Sequence, residues 1–461
     1  MQVGPRCLAV IWLTCIHVCL GSVVTRSHAS EIDLRLSLIG QGYQTRTATG
    51  QLLDRRRLVQ WVDLRAQRLL DINGFSFETS FRFNAELGFG DDLEAMGGNQ
   101  AELMLAQIRW REIVDRLDLA LGRQLLFDEI DILLFDGVRV DFHFPAYFSA
   151  RLISGFSVRD RSFLGSNILE LDGVEESSVP VPLIGASFGF RYSDLWINLD
   201  YRRKVLWESD WPLDEERLGA SVSLRLWERR IGLDAGAVFN LVQDHWDRLR
   251  ADAFVKLPGF TEGIRLEGGY LHSRPHFGLD SIFNFFSPAP FDEFRGGLRW
   301  DPRFKKLKHY LSFRLSYTHR SYQSPVDGEL NSDNAGWEVD GLDFDGRMRI
   351  GSGSWAILSF GYEDGSTGRR WLVAPRVFTK FYDGRFLVDA RGILTSFKDP
   401  VQENQHALTI GCSAGLTWRF GEKHALMLLA QLNRNRFNPA QFRLLAVLDL
   451  AFHFGSAGYF K

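Results

Sequence analysis

The sequence predicts a single large antiparallel transmembrane β-barrel of about 22 strands, within a range of roughly 18 to 22. Three observations predict this fold class. Apolar residues recur at every second position through most of the chain, short connectors alternate with longer polar ones, and Tyr and Trp cluster near the ends of the predicted strands.

The alternation is clearest in FSFETSFRFNAELGF, residues 75–89, where Phe, Leu, Thr and Ala alternate with polar or small residues. Successive side chains of a strand point to opposite faces, so this strand has one apolar and one polar face. Residues 101–114 are less regular and are interpreted as a strand because their neighbours are strands. Similar runs occupy residues 32–38, 138–144, 195–202, 218–226 and 408–420.

The length of these runs separates a membrane barrel from a soluble β-sandwich. Sandwich strands typically have about 5–6 residues, whereas a tilted transmembrane strand needs about 9–11. Many runs in this sequence extend over about 9–15 residues, which favours the barrel. A large secreted β protein is the alternative.

The connectors predict the direction of the strands. Asn73 and Gly74 form a hairpin-turn signal, and 351–354 and 382–385 are similarly tight, whereas 90–100, 160–181 and 273–291 are long. A strict alternation of short turns and long loops is expected, and an even strand number places both termini on the periplasmic side. We expect no plug domain because the strand pattern begins near residue 32. Loops 160–181 and 273–291 are candidates for folding into the lumen, with packing at the rim as the alternative for the second.

The first 29 residues resemble a secretory signal. Arg6 provides the positive end, residues 8–24 are mostly apolar, and residues 27–29 offer a small-x-small cleavage site. A membrane anchor is the alternative. The predicted organisation is therefore a signal peptide at 1–29 and a barrel at 30–461. Cleavage would leave Cys412 as the single cysteine, which excludes an intramolecular disulfide.

Composition and motifs argue against several other classes of protein. A net charge of −3 and a pI near 6.4 give no indication of nucleic-acid binding. The patterns GASFG (185–189) and GCSAG (411–415) match the nucleophile elbow of hydrolases, but both lie within predicted strands instead of a strand–turn–helix. The histidines are scattered, and no haem, zinc or nucleotide motif is present. We therefore expect no enzyme activity, cofactor or metal.

The polar faces of the predicted strands are rich in arginine. On these faces basic residues outnumber acidic ones, although the whole chain carries a net charge of −3. Basic rings that line a pore favour anions, whereas Arg and Asp or Glu on adjacent strands can instead pair and stiffen the wall. The predicted pore-lining residues are Glu78, Arg82, Glu86, Gln124, Arg139, Asp141, Arg151, Arg191, Arg202, Arg225, Arg250, Arg265, Arg299, Arg314, Arg347, Arg349, Arg391 and Arg419.

One segment resembles a known family. LGRQLLFDEIDILLFDGVRV, residues 121–140, is similar to the G-R-Q…F-D-G-[VL] hairpin of the alginate-export and related porin-like barrels. The resemblance implies two adjacent barrel strands and passage of a polysaccharide or a small solute. By period 2, Gln124, Arg139 and Asp141 face inward, whereas Arg123 lies on the apolar face unless a bulge reverses it.

Two functions follow from this architecture. The first is an outer-membrane channel that passes small solutes or exports a polysaccharide. The alternative is a sheath around a periplasmic partner, such as a multihaem cytochrome of an electron conduit. The expected partners are thus outer-membrane lipid and either a cargo molecule or a periplasmic protein.

Overall fold

The computed structural model of the 461-residue chain describes residues 31–46, 52–69, 72–86, 100–158, 181–205, 215–257, 263–274, 290–302, 310–323, 337–351, 353–366, 368–398, 406–435 and 441–455. The predicted signal peptide at 1–29 lies outside these residues, as does most of loops 160–181 and 273–291. The predictions about these segments therefore stay predictions.

The chain forms 22 antiparallel strands in one sheet, which confirms the predicted fold class and the upper end of its strand range. The ambiguous segment near residue 101 forms β4, as predicted. A short 3-10 turn, Tyr382–Gly384, joins β18 to β19. The strands are β1 Glu31–Arg46, β2 Leu52–Gln67, β3 Phe75–Glu86, β4 Gln100–Ile113, β5 Leu117–Phe127, β6 Ile132–His143, β7 Phe148–Ser157, β8 Val181–Tyr192, β9 Leu195–Lys204, β10 Glu215–Leu226, β11 Ile231–Asn240, β12 His245–Lys256, β13 Ile264–Ser273, β14 Phe291–Trp300, β15 Tyr310–Tyr322, β16 Glu338–Ile350, β17 Ser354–Gly365, β18 Arg369–Phe381, β19 Phe386–Lys398, β20 His406–Arg419, β21 Ala425–Arg434 and β22 Gln441–Gly455.

Each strand pairs with the next, and β1 pairs with β22, so the sheet closes into a barrel. The closing ladder runs from Glu31 opposite Gly455 to Tyr43 opposite Arg443. A bidentate ion pair crosses this seam, with Arg35 Nη2 2.6 Å and Nε 2.9 Å from the Asp449 carboxylate. Closure leaves no free sheet edge along this seam.

The barrel is apolar outside and polar inside, the reverse of a soluble protein. Large apolar side chains such as Phe81, Leu121 and Leu199 are exposed on the outer face. Polar side chains of the opposite parity, including Arg82 and Asp200, are buried within the barrel. The period-2 pattern therefore sorts the residues into the two faces as the sequence predicts.

The two ends of the barrel carry different connectors. Both ends of the strand array, Glu31 and Gly455, lie at one end, which we call the turn end. The opposite, loop end has most of the long connectors, but the predicted strict alternation is wrong. The connectors from β5 to β6, β11 to β12 and β17 to β18 lie at this end and have only three or four residues. Their strands pair almost to their tips, so a tight turn suffices. In the described part of the chain, no helix is long and apolar enough to cross a membrane.

Candidate functional site in the lumen

Residues 124–135, which we call the inner hairpin, separate from β4 and turn into the barrel, while Phe135 remains paired with Ser157 of β7. The ladder between β4 and β5 ends at Ala106 opposite Arg123, whereas β5 continues to pair with β6 as far as Phe127. Three glycines on neighbouring strands, Gly122, Gly137 and Gly155, lie in register just before the departure. A Cβ on Gly137 would lie 2.2 Å from the carbonyl oxygen of Ser154, so only glycine permits this close approach.

The inner hairpin folds over the inner surface of the next two strands. Leu126, Leu133 and Phe135 pack with Ile153 of β7 and Leu183 of β8 in a fully buried apolar cluster. Burying a side chain of this size stabilises by about 1.5–3 kcal/mol, so the cluster contributes on the order of 10 kcal/mol. The inner hairpin is therefore a fixed part of the lumen.

The tip of the inner hairpin, residues 128–131, is a tight acidic turn. The Asp128 carboxylate accepts hydrogen bonds from the backbone amides of Ile130 at 3.0 Å and Asp131 at 3.1 Å. An aspartate in this position stabilises the turn by itself because its side chain takes the place of a backbone acceptor. The backbone amide of Glu129 donates to Asp200 on β9 at 3.3 Å.

Arg202 of β9 holds this tip. Its Nη2 donates to both oxygens of Asp128, at 2.8 and 2.6 Å, and its Nη1 donates to Asp131. The Arg202 side chain is only 2% exposed and that of Asp128 only 7%. A buried charge is tolerated only when it is paired, so neither residue can lose its partner without a large cost.

Two further arginines complete the set that we call the dock: Arg202, Arg217 and Arg248. Arg217 Nη1 lies 3.4 Å from Asp131, and Arg248 Nη2 lies 3.0 Å from Glu129 Oε1. The register of β11 and β12 shifts next to Arg248, which is the signature of a β-bulge. The extra residue, Asp247, lies 3.1 Å from Arg217 Nε.

The dock shows that the tip lies inside the barrel. The three arginines are on β9, β10 and β12, separated from β6 by β7 and β8, and they share the face opposite to the exposed Leu199 and Leu218. A connector between β5 and β6 can reach this face only through the lumen. The inner hairpin therefore narrows the lumen at the loop end.

Most of the predicted pore-lining residues on the inner face form ion pairs with neighbours, which matches the wall-stiffening interpretation. Gln124 has no charge and is buried at the base of the inner hairpin, where it donates to the Gly137 carbonyl oxygen at 3.0 Å. The backbone of Glu86 is described, but its side chain is not. The pairs are Glu78 with Arg65, Arg82 with Glu102, Arg139 and Arg151 with Asp141, Arg225 with Asp234, Arg250 with Asp252, Arg265 and Arg314 with Glu267, Arg299 with Asp301 and Arg391 with Asp389.

A different arrangement occurs near the turn end, where several basic side chains stack on aromatic rings, among them four that form no ion pair with a described residue. We call Arg191, Lys256, Arg347 and Lys380 the collar. Their cations lie 4.6, 5.6, 5.1 and 6.0 Å from the ring centroids of Trp196, Phe254, Trp355 and Phe378, respectively.

The collar carries positive charge that no carboxylate in the described part of the chain compensates. None of its four residues has an ion pair with any residue that the structure describes, in contrast to Arg225, Arg265 and Arg376, which stack on the rings of Phe254 and Trp355 and are also ion-paired. The face of an aromatic ring attracts a cation but carries no net charge, so it does not neutralise the positive charge of the side chain. Of the remaining predicted residues, Arg349 lies one inward position beyond Arg347, directly opposite Trp355, and Arg419 is exposed at the end of β20.

Sequence reasoning missed the tip and two arginines of the dock. The acidic segment DEID was quoted within the resemblance, and Arg217 lies on the predicted polar face, but nothing in a local pattern joins residues 71 or more positions apart. The sequence feature that could have indicated this contact is a four-residue acidic turn in a chain whose polar strand faces are basic.

The two G-x-S-x-G matches lie within β8 and β20, as predicted. No metal-binding group of acidic, His or Cys side chains occurs among the described residues.

Comparisons with known proteins give structural likeness only. No protein-family model and no curated protein matches the chain, so the resemblance to alginate-export barrels gains no support. Solved structures with similar shape include OpdK of Pseudomonas aeruginosa (11% identity, TM-score 0.45, covering 92% of this chain and 98% of that one) and a BenF-like porin of Pseudomonas fluorescens Pf-5 (9%, 0.46, 92% and 98%). The PapC translocation pore of the P pilus usher is also similar (10%, 0.46, 90% and 99%). With TM-scores below 0.5, these similarities assign no family and no function.

Proposed function

We propose that this protein is a bacterial outer-membrane channel for small solutes, narrowed on the loop side by the inner hairpin. The observation that carries the proposal is the closed barrel with an apolar outer face, a charged inner face and a hairpin tip docked within its lumen. Transmembrane barrels of this strand number leave a lumen too wide for the wall side chains alone to fill.

The fixed inner hairpin favours passage of small solutes over export of a polysaccharide or insertion of a periplasmic protein. An exported polysaccharide chain or a threaded periplasmic protein would need the space that residues 124–135 occupy. The apolar cluster of Leu126, Phe135 and Leu183 makes displacement of the hairpin costly. In this proposal both termini lie on the periplasmic side, since the long connectors of such barrels face outward.

We further propose that the channel prefers anions and that the collar causes this preference. Paired arginines contribute little net field to the lumen, whereas the collar cations have no carboxylate partner among the described residues. Fixed positive charge in a low-dielectric channel raises the local anion concentration. The preference is therefore set at the turn end, which is the periplasmic mouth in this proposal.

Planar-bilayer recording tests both proposals. Purified wild-type protein is expected to form discrete conducting channels, and the reversal potential across a tenfold KCl gradient should show chloride preference. Replacing Arg347 and Lys380 by Gln should reduce the chloride-to-potassium permeability ratio at least twofold. The matched control is Arg391→Gln, because Arg391 is ion-paired with Asp389.

Absence of conductance would contradict the channel. Conductance with cation preference, or with a ratio that the collar variant leaves unchanged, would contradict the collar's role alone. No current from the protein alone, together with co-purification of a periplasmic redox protein, would favour the sheath.

A further inference from the structure

A group of apolar side chains interrupts the charged inner face of the barrel on β21, β22, β1 and β2. The ladders across these four strands place the side chains directly opposite one another in pairs. Their sequence neighbours Leu428 and Leu444 are exposed on the outer face, so by parity the group points into the lumen. We call the group the strip: Ile39, Val59, Met427, Leu429, Leu445 and Val447.

All six side chains of the strip are partly exposed inside the barrel. Elsewhere on the inner face, charged side chains such as Arg225 and Asp234 hold equivalent positions and pair across the strands. At about 4.8 Å between neighbouring strands, the strip spans on the order of 15 Å of the wall. A contiguous apolar surface of this width in an aqueous lumen is unusual and indicates contact with the apolar part of a ligand.

The strip lies on the side of the lumen that the inner hairpin leaves free. In a closed barrel of 22 strands, two strands that are eleven positions apart face each other across the lumen. β10 of the dock and β21 of the strip are eleven positions apart, and the inner hairpin packs against β7 and β8. A solute that passes the inner hairpin therefore has access to the wall that carries the strip.

The two ends of the strip differ in charge. On the side of the turn end, Arg35 and Asp449 form an ion pair and compensate each other. On the side of the loop end, the guanidinium carbon of Arg443 lies 5.1 Å from the ring centroid of Tyr43, and Arg443 has no ion pair with any described residue. The residues directly opposite Arg443 are Tyr43 and Gln431, which carry no charge. An uncompensated cation thus adjoins an apolar surface.

We propose that the strip and Arg443 form a binding site for small organic anions with an apolar body, with the anionic group at Arg443 and the apolar body on Leu445 and Val447. This inference rests on the proposed channel function and names one class of its solutes. The guanidinium attracts the anionic group, and burial of the apolar body against the strip adds the hydrophobic contribution. An inorganic anion lacks the second contribution, and an amine with the same alkyl chain lacks the first.

Single-channel recording with matched probes tests the site. Hexanoate has the carboxylate of acetate and four more methylene groups, whereas hexylammonium has the same chain length and the opposite charge. The residence time of hexanoate in the wild-type channel is expected to be at least tenfold longer than that of acetate or hexylammonium, because only hexanoate uses both parts of the site.

Substitutions in the strip should remove the advantage of the alkyl chain. Leu445→Asn combined with Val447→Thr is expected to bring the residence time of hexanoate to within twofold of that of acetate. Leu429→Asn on the neighbouring strand is a second variant, with an expected reduction of at least threefold. The matched control is Leu372→Asn, because Leu372 is a partly exposed inner-face leucine of β18 outside the strip.

Substitution of Arg443 tests the anionic part of the site. Arg443→Gln should shorten the residence time of hexanoate at least fivefold, and Arg443→Lys should restore most of it. Equal residence times for hexanoate and acetate in wild type, or a residence time of hexanoate that the strip and Arg443 variants leave unchanged, would overturn the site. Conducting channels with either result would retain the proposed channel, whereas wild-type protein without conductance would refute the channel itself.

Discussion

Arg202 Nη2 donates to both carboxylate oxygens of Asp128 inside the barrel, although the two residues are 74 positions apart in the chain and lie on elements separated by two strands. The pair fixes where the tip of the inner hairpin meets the wall. The apolar cluster contributes most of the free energy that holds the inner hairpin in the lumen, and the ion pair determines where its tip contacts the wall.

Loss of Arg202 should release the tip. Arg202→Gln leaves Asp128 buried without its charged partner, which typically costs about 3–5 kcal/mol. A cysteine introduced at Glu129, in a Cys412→Ser background, should then react with a membrane-impermeant maleimide at least tenfold faster than in the parent. Arg391→Gln is the control because Arg391 lies on β19 and does not contact the tip. Unchanged labelling in the Arg202 variant would show that the dock does not hold the tip.

The glycine row should be necessary for the inner hairpin to fold over. In Gly137→Val the new Cβ would lie 2.2 Å from the Ser154 carbonyl oxygen and 2.8 Å from the Cα of Gly155, so the strands must separate. We expect a lower unfolding temperature and a larger single-channel conductance, because the hairpin can no longer pack against β7 and β8.

Gly296 provides the matched control for this substitution. A Cβ at Gly296 meets nothing within 4 Å, so Gly296→Ala should behave like wild type in both measurements. Wild-type stability and conductance in Gly137→Val would contradict the role of the glycine row.

The ion pair at the closing seam should matter little for stability. Arg35 and Asp449 are partly exposed, at 59% and 27%, and surface pairs of this kind contribute about 0–1 kcal/mol. Asp449→Asn should therefore lower the free energy of unfolding by no more than about 1 kcal/mol in urea titrations of the refolded protein. A loss above about 3 kcal/mol would mean that this pair, and not the backbone ladder, closes the barrel.

The architecture of this chain is predictable from sequence because its physical cause is local. A residue such as Phe77 or Leu199 faces outward by parity alone, and a turn such as Asn73–Gly74 reverses the chain without help from distant segments. The same parity argument placed Arg123 on the outer face, where it lies.

The lumen could not be predicted in the same way. The contact of Asp128 with Arg202 depends on the inward path of the inner hairpin, which no local pattern encodes. The position of Asp247 depends on a bulge that shifts the alternation of β12 by one residue. The pairing state of each arginine likewise depends on the register between strands. Arg139 and Arg347 are indistinguishable by parity, yet one pairs with Asp141 and the other stacks on Trp355.

The size of the largest solute that enters the lumen tests most directly whether the inner hairpin narrows the channel. Single-channel conductance is measured with neutral polyethylene glycols of increasing mass on the loop side, for wild type and for the double variant Arg202→Gln with Gly137→Val. If the inner hairpin narrows the channel, polymers that the wild type excludes will enter the variant and lower its conductance. An identical exclusion limit in the two proteins, with both channels open, would contradict the claim.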